Sequence, residues 1–371
     1  MIIRRDLFTT TCCRLLLFFL LFITGYAYPQ EQRPFFKNTS IGIQGYYGSF
    51  LTTKPKSVYI RDSYASFAEI YFQKQTEGKS DWEITHNCPQ WGIAFLFGNT
   101  GSRQYIGNMY SLFAYINTPL IRTRNFTSSF RLGAGPGIVD KPYNIYTNPK
   151  NTLIGTRLNA YINLALQNEI KISPTLYFNA GLAFTHLSNG GTTLPNLGLN
   201  TPSVTAGIRY ALSKQAITSK SSIDSFCSKI SYRLSLTAGE KQIGLVGGPF
   251  NTIIVLQPEI SKRFRCNHAF GAGVAVFINT GAANDKKQLP LNGQPVPGLQ
   301  TGLYGSYEHF FGRISIPVQL GTYIYNKGDN PSIFQQVGLR CKINTHFNTE
   351  LLLKAHLGKA DLIHAGVAYE L

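Results

Sequence analysis

Strict alternation of apolar with polar or small residues, repeated in segment after segment, is the feature that most limits what this chain can fold into. The clearest segment is 154–170, where Ile154 and Leu158 hold even positions and Asn159 and Tyr161 hold odd positions. Successive side chains of a β-strand point to opposite faces, so each such segment is predicted to be a strand with one apolar face. Predicted strands lie near 41–49, 65–73, 92–98, 106–117, 128–139, 154–170, 176–188, 203–212, 229–238, 251–265, 268–279, 302–311, 313–325, 333–344, 347–357 and 362–371.

The beginning of the chain has a different pattern. Arg4 and Arg5 precede an apolar stretch that ends near Gly25, and Gly25 to Ala27 provide small residues at the spacing of a cleavage site. Residues 1–27 are therefore predicted to be a secretory signal peptide. No later segment reaches about 18 consecutive apolar residues, so a membrane-spanning helix is not expected in the mature chain. Export followed by strands predicts a location in the bacterial outer membrane.

The composition agrees with a membrane barrel better than with a helical membrane protein. Only 43% of the 371 residues are hydrophobic, while Gly (35) and Tyr (21) are abundant. Lipid-facing and lumen-facing residues alternate in a transmembrane barrel, so the average polarity is moderate. The formal net charge of +17 fits a solvated rim and lumen, or attraction to anionic lipid head groups. A nucleic-acid partner is not expected, because the chain contains no basic run and no recognised binding fold.

The fold class predicted from these patterns is all-β, an antiparallel transmembrane β-barrel. Residues 214–226 are rich in Ser and Lys and interrupt the alternation, as a linker does. The linker favours two tandem eight-stranded barrel-like halves, at 28–213 and 227–371. One larger barrel of about sixteen strands is the alternative, because periodicity alone does not decide between them.

The two halves resemble each other. Residues 204–212 parallel 363–371 position by position, and the last strand keeps its apolar face to the end of the chain. His356-Leu357-Gly358 stands where the first half has His186-Leu187-Ser188, but a glycine replaces the serine and the Asn- and Pro-containing loop is missing. The second half is therefore predicted to be a degenerate repeat without an active-site loop.

Four cysteines remain after the predicted signal peptide: Cys88, Cys227, Cys266 and Cys341. An exported chain meets an oxidising compartment, so one or two disulfides are possible. None of the four has CxxC spacing, and the proximity of Cys266 to His268 is far short of a metal site. The sequence therefore predicts structural or free thiols and no metal centre.

One stretch, 184–202, carries residues suited to catalysis. His186 and Ser188 fall at the end of the apolar face of the 176–188 strand. Two residues apart on a strand, their β-carbons are roughly 6.5 Å apart and point the same way. A histidine nitrogen then reaches a serine hydroxyl, which is the pairing that activates a serine nucleophile.

The residues that follow supply candidates for the remaining roles. Asn200 leans toward the same face, and an asparagine oxygen can hold an imidazole ring in place. Asn189 or Asn196, together with backbone N–H groups around Gly190 and Gly191, are candidate oxyanion donors. The alternative is a polar loop that only caps a hairpin, since Asn, Gly and Pro are ordinary turn residues.

The motif in this stretch resembles a known family. F-T-H-L-S-N-G at 184–190, followed by P-N-L-G at 195–198, resembles the signature of the lipid A 3-O-deacylase (PagL-like) family of outer-membrane barrels, also described as acyloxyacyl hydrolases. The resemblance extends over about residues 38–213. It implies that His186 is the base and that Ser188 is the nucleophile.

The resemblance also bears on the surrounding loop. It implies that Asn196 belongs to the oxyanion hole and that Asn189 is part of the motif. The best-known members have a glutamate fourteen residues after the histidine as the third member of the triad. This chain has Asn200 at that position, so the orienting residue differs from the family pattern.

The function implied by the resemblance is that of an outer-membrane serine esterase that removes an ester-linked acyl chain from lipid A. Lipid A, or the whole lipopolysaccharide, would be its partner, and no cofactor is implied. Because Asn200 replaces the glutamate, the alternative is a catalytically inactive barrel with a structural or adhesion role. A narrow pore is a third hypothesis, less favoured because small barrels are filled by side chains. The sequence gives no prediction of oligomeric state.

Overall fold

The structure is a computed structural model, and it describes residues 36–51, 55–213, 228–243, 246–281, 298–326 and 332–371. The predicted signal peptide (1–27), the predicted linker (214–226) and Cys227 lie outside the described residues. Within them the chain forms two closed antiparallel barrels, each of eight strands in sequence order. The first barrel closes where β1 pairs with β8, and the second where β16 pairs with β9.

The strands have the following bounds. The first barrel comprises β1 (Thr39–Gly48), β2 (Ala65–Gln75), β3 (Gln90–Asn99), β4 (Asn108–Arg122), β5 (Phe126–Val139), β6 (Leu158–Lys171), β7 (Leu176–Ser188) and β8 (Leu199–Ala211). The second comprises β9 (Ile230–Gln242), β10 (Phe250–Arg265), β11 (His268–Asn279), β12 (Leu299–Phe311), β13 (Ile314–Asn326), β14 (Ile333–Lys342), β15 (Phe347–His356) and β16 (Lys359–Glu370). A 3₁₀ helix (Pro55–Ile60) and the short α1 (Asp81–Thr85) lie in connections of the first barrel.

The predicted all-β fold with two eight-stranded barrels is confirmed, and the alternative of one barrel with about sixteen strands is wrong. The predicted strand at 154–170 is too long at its start, since β6 begins at Leu158. Ile154 instead makes an isolated bridge to Asn196, so this part of the alternating segment belongs to the β5–β6 connection. In the part of the chain that the structure describes, no helix is long and apolar enough to cross a membrane.

The faces of the barrels are the reverse of those of a water-soluble barrel. On β7 and β8 the outward side chains are apolar and exposed, as with Leu182 (62%) and Val204 (56%). The inward positions of the neighbouring strands carry buried polar groups such as Asn163 and Asn179. A barrel with an apolar exterior and a polar interior is suited to hydrocarbon surroundings.

Buried ion pairs fill the interior of the first barrel. Arg131 Nη1 lies 2.8 Å from Glu69 Oε1, and Tyr46 donates its hydroxyl proton to Glu69 Oε2 at 2.6 Å. Arg209 binds Glu169 through two N–H groups, with N···O distances of 2.5 and 2.6 Å. A cavity of about 20 Å³ remains beside Glu169. That volume suits roughly one water molecule, so the lumen is packed rather than open.

The second barrel has a larger charged network. Arg233 Nη1 lies 2.8 Å from Glu259 Oε1 and 3.1 Å from Glu308 Oε2. Arg340 also binds Glu308, and its Nε lies 2.5 Å from Glu350 Oε1. Buried charges are tolerated when they are paired in this way. Each lumen is therefore closed by its own charged side chains.

The sequence parallel between the halves does not extend to the direction of the histidines. His356 is the last residue of β15 and faces the lumen, where its Nε2 lies 2.9 Å from the hydroxyl of Tyr323. His186, by contrast, is on the outward face of β7. Leu357 and Gly358 form a tight turn with positive φ angles of 48° and 81°, so no loop follows His356.

The three cysteines that the structure describes, Cys88, Cys266 and Cys341, are free thiols. Cys88 is buried and Cys341 is exposed. The proposal of a disulfide therefore has no support among these three residues.

The buried pair in the first barrel gives a testable prediction. Replacing Arg131 by Met should lower the free energy of unfolding by about 3–5 kcal/mol, because Glu69 would remain buried without its counter-charge. Urea unfolding of the protein in detergent micelles or liposomes, followed by tryptophan fluorescence, measures the change.

The double variant Arg131→Met with Glu69→Gln is the control. It should recover a large part of the loss, since no unpaired charge is left in the lumen. A double variant as unstable as the single one would show that packing of the Arg131 side chain, rather than its charge, is what stabilises the barrel.

Candidate active site

The candidate site is formed where β7 ends and β8 begins. His186 and Ser188 occupy alternate positions near the end of β7, on the outward face with Leu182 and Phe184. Leu187, between them, is buried in the barrel. In the register of β7 with β8, His186 lies directly opposite Asn200. Directly opposed residues of an antiparallel pair have β-carbons about 4.5–5.5 Å apart, so Asn200 is within reach of the imidazole.

The three side chains form one hydrogen-bonded chain. His186 Nδ1 lies 2.7 Å from Asn200 Oδ1, and His186 Nε2 lies 2.8 Å from Ser188 Oγ. The amide oxygen of Asn200 is only an acceptor, so this pattern assigns the proton to Nδ1. Nε2 then carries a lone pair and accepts the proton of the Ser188 hydroxyl. The tautomer is the one that a general base requires.

The environment of the pair is partly closed. Ser188 is 6% exposed, whereas His186 is half-buried. Strand alternation alone predicts a serine that is open to the surroundings. It is covered instead because the chain turns immediately after it into the loop 189–198, through Gly190 and Gly191 with φ angles of 65° and 88°.

The loop is fixed to the end of the first barrel. The N–H groups of Leu197 and Gly198 both donate to the carbonyl of Leu153, at 3.0 and 3.1 Å. Leu153, Leu187 and Leu199 are buried together in the apolar cluster of this barrel, and Leu197 packs against that cluster. The polar loop therefore packs against the buried apolar cluster that contains Leu153, Leu187 and Leu199.

Gly198 makes room for the histidine ring. Its φ angle is 75°, and a β-carbon added there would lie 2.9 Å from His186 Cε1. A larger residue would be strained in its backbone and would also push the ring. Glycine at this position thus fixes both the turn into β8 and the space beside the imidazole.

Two donors in the loop that follows Ser188 have no hydrogen-bond acceptor among the described residues. Asn196 Oδ1 accepts a hydrogen bond from the N–H of Asn189 at 3.1 Å. That contact orients the Asn196 amide, and its Nδ2 group has no acceptor among the described residues. The N–H of Gly190 likewise has no acceptor in the described part of the chain. The Asn189 side chain itself spans the loop, with Nδ2 2.8 Å from the carbonyl of Thr193.

Every residue predicted for the site is therefore found in this one region: His186, Ser188, Asn189, Gly190, Asn196 and Asn200. Sequence reasoning missed Leu153 and Gly198. The motif P-N-L-G contains Gly198, so its membership of the same motif as Asn196 was a usable signal. Leu153 carries no local signal, because its role depends on the packing of a distant connection. Among the described residues no group of three or more His, Cys, Asp or Glu is arranged to bind a metal ion.

Comparison with solved structures finds outer-membrane barrels of low similarity. Neisserial surface protein A matches with 9% identity and a TM-score of 0.33, over 47% of this chain and 98% of that protein. Omp33 of Acinetobacter baumannii matches with 7% identity and a TM-score of 0.18, over 90% and 97%. A mutant porin of Rh. blastica matches with 10% identity and a TM-score of 0.17, over 90% and 100%. No curated protein matches the chain.

Comparison with family models gives a direct result for both barrels. The model described as lipid A 3-O-deacylase (PagL) matches residues 66–209, which include the candidate site. The model described as acyloxyacyl hydrolase, C-terminal domain, matches residues 230–371, the second barrel. The two matches adjoin along the chain and together cover most of it. The chain therefore belongs to the lipid A 3-O-deacylase (PagL) family and is a protein of the bacterial outer membrane.

Proposed function

We propose that this protein is a serine esterase that hydrolyses an ester-linked acyl chain of lipid A, with Ser188 as nucleophile and His186 as general base. The observation that carries the proposal is the hydrogen-bonded chain from Asn200 through His186 to Ser188, on the outward face of β7. A hydroxyl bound to the lone pair of an oriented imidazole is the arrangement that activates a serine. Family membership supplies the substrate class.

In the first step Ser188 Oγ attacks the ester carbonyl carbon while His186 Nε2 takes its proton. The tetrahedral intermediate collapses, the C–O bond to the lipid alcohol breaks, and the imidazolium returns the proton to the leaving alkoxide. In the second step His186 takes a proton from a water molecule, whose oxygen attacks the acyl-enzyme. The fatty acid leaves and Ser188 regains its proton. The chemistry requires neither a metal nor an organic cofactor.

The oxyanion of each intermediate needs fixed donors. The free Nδ2 group of Asn196 and the N–H of Gly190 are the candidates, because both lie in the loop that begins at Ser188. Donors held in place before the reaction stabilise the developing charge without a cost of reorganisation. This assignment agrees with the role that the family motif implies for Asn196.

The position of the site along the barrel supports a lipid substrate. At one end the first barrel has the tight turns 123–125 and 172–175 and the connection 76–89, which contains α1. At the other end it has the connections 49–64, 100–107, 140–157 and 189–198, which are longer on average. Outer-membrane barrels place short turns in the periplasm and long loops outside the cell. The pair thus belongs to the outer leaflet, where lipid A resides. An acyl chain can approach along the apolar outward face without entering the lumen.

Basic residues at the same end offer contacts for the phosphates of lipid A. Lys150 and Arg157 are exposed on the β5–β6 connection, which also holds the loop 189–198 through Leu153. Arginine and lysine bind phosphate oxygens by charge-assisted hydrogen bonds. The polar head would then be held above the site while the acyl ester lies at Ser188.

Replacing Ser188 by Ala should lower the rate of acyl release from lipid A by at least about 10³-fold, since the nucleophile is removed. The barrel should stay folded, because the side chain of Ser188 makes no contact with the lumen. Mass spectrometry of lipid A from cells that express each variant measures the reaction, and heat-modifiable mobility in gels measures folding.

Thr185→Val is the matched control on the same strand, because Thr185 faces the lumen. It should leave the rate within about twofold of the wild type. Lipid A that is identical with and without the wild-type protein would contradict the proposal and favour an inactive barrel with a structural or adhesion role. Undiminished hydrolysis by Ser188→Ala would remove Ser188 from the mechanism.

Asn200 can be tested separately. Asn200→Ala should lower kcat about 10- to 100-fold, because the imidazole loses the acceptor that fixes its tautomer. Asn200→Asp keeps the shape and adds a negative charge beside the imidazolium that forms during attack, so kcat should rise above that of the wild type. Initial rates of fatty-acid release from lipid A micelles measure both. An Ala variant as active as the wild type would show that Asn200 does not orient His186.

A further inference from the structure

The loop that carries the candidate oxyanion donors is covered by the second barrel. On β9 the outward side chains are exposed along the strand, as with Leu236 (53%), but Gln242 at its end is only 6% exposed. Ile363, an outward residue of β16, is also partly covered. The hydrogen-bonded pairing of β16 with β9 runs from Ala365 to Glu370 and does not extend to Gln242. The residues that cover this end belong to the loop 189–198 of the first barrel.

Gln242 binds that loop in two ways. Its backbone N–H donates to the carbonyl of Thr192 at 2.8 Å. Its side-chain Oε1 accepts the N–H of Leu194 at 2.9 Å. The Nε2 group donates to the carbonyl of Gly248 at 3.1 Å, which fixes the orientation of the amide. One residue of the second barrel thus holds the middle of the active-site loop from two directions.

The glycines of the loop fit closely against β16. A β-carbon at Gly190 would lie 2.0 Å from Ile363 Cδ1. One at Gly191 would lie 3.0 Å from the carbonyl oxygens of Ala360 and Asp361. Both glycines also have positive φ angles. The Gly-Gly pair after Ser188 and Asn189 is therefore required by the turn and by the close approach of the second barrel.

The barrels also contact each other at the opposite end, where α1 of the first barrel meets β12 of the second. His86 donates its Nδ1 proton to the carbonyl of Trp82 at 2.6 Å, which leaves its Nε2 as an acceptor 2.8 Å from Nε2 of His309. Thr85 Oγ1 lies 3.0 Å from Cys266 Sγ beside them. Contacts at both ends hold the two barrels side by side.

We propose that the second barrel is part of the catalytic unit, and that Gln242 is a positioning residue that holds the loop 189–198 so that Asn196 and Gly190 face Ser188. This inference rests on the proposed function. Gln242 does not touch the reacting atoms. It acts through Thr192 and Leu194, which lie between the two candidate donors in the chain. A role of this kind gives the C-terminal half a function although it has no active-site loop of its own.

The test uses full-length protein in micelles with lipid A as substrate. Gln242→Met keeps the volume of the side chain and removes the acceptor for Leu194. We expect kcat to fall about 10- to 100-fold with KM within about threefold of the wild type, because displaced oxyanion donors affect the transition state. Gln242→Glu keeps an acceptor for Leu194 but loses the donor to Gly248, so its kcat should lie between those of Gln242→Met and the wild type. Equal rates for Gln242→Met and the wild type would overturn the inference.

A double variant separates positioning from general stability. If Gln242 acts through the loop, adding Gln242→Met to Asn196→Ala should lower kcat by less than about twofold more. If the fall in kcat of the double variant equals the product of the falls in the two single variants, Gln242 does not act through the loop and the inference is overturned. His309→Ala weakens the contact between the barrels at the opposite end and should leave kcat within about twofold of the wild type. A loss of kcat equal to that of Gln242→Met would show that any weakening of the contact between the barrels lowers activity, and it would overturn the role of Gln242 as a positioning residue. If Ser188→Ala abolishes hydrolysis while Gln242→Met does not affect it, this inference fails and the proposed function stands. If the wild type releases no fatty acid, both fail.

Discussion

The antiparallel pairing of β7 with β8 is the interaction on which the site depends. It sets His186 opposite Asn200, and the two-residue period of β7 sets Ser188 beside His186. A shift of β7 by one residue would turn His186 and Ser188 to the other face, away from Asn200. The register is held because the inward neighbours Leu187 and Leu199 are buried in the barrel core. Apolar packing inside the barrel thus fixes the relative positions of His186, Ser188 and Asn200 on its outer face.

The barrel architecture also explains why chemistry is possible on its wall. The interior of the first barrel is occupied by paired charges, Arg131 with Glu69 and Arg209 with Glu169. The outward face of β7 is apolar as far as Phe184 and becomes polar at His186 and Ser188, where the strand meets its loop. A lipid ester and a hydrogen-bonded hydroxyl can meet at that boundary. Family membership and the geometry of the site therefore point to the same substrate class.

The second barrel adds contacts to the loop 189–198 of the first barrel. Within the first barrel the loop 189–198 is held by the β5–β6 connection, through Leu153 and Ile154. Here Gln242 and β16 hold its other side. The resemblance implies a glutamate at the position of Asn200, so the orienting residue that we propose differs from that pattern. The second barrel, which matches the family model for the C-terminal domain, supports the loop from outside the site.

The sequence by itself determined most of the strands and their faces, and it supplied the candidate residues of the site, because a period of two and the motif around His186 are local patterns. Most strand ends differed by a few residues, and the start of β6 was placed too early since Ile154 alternates correctly but bridges to Asn196. Only the tertiary structure decided the closure into two barrels, the burial of Ser188 and the inward direction of His356. It also revealed Gln242, a residue in the other barrel with no motif around it. Contacts between residues far apart in the chain leave no periodicity, so they become visible only when the strands are brought together.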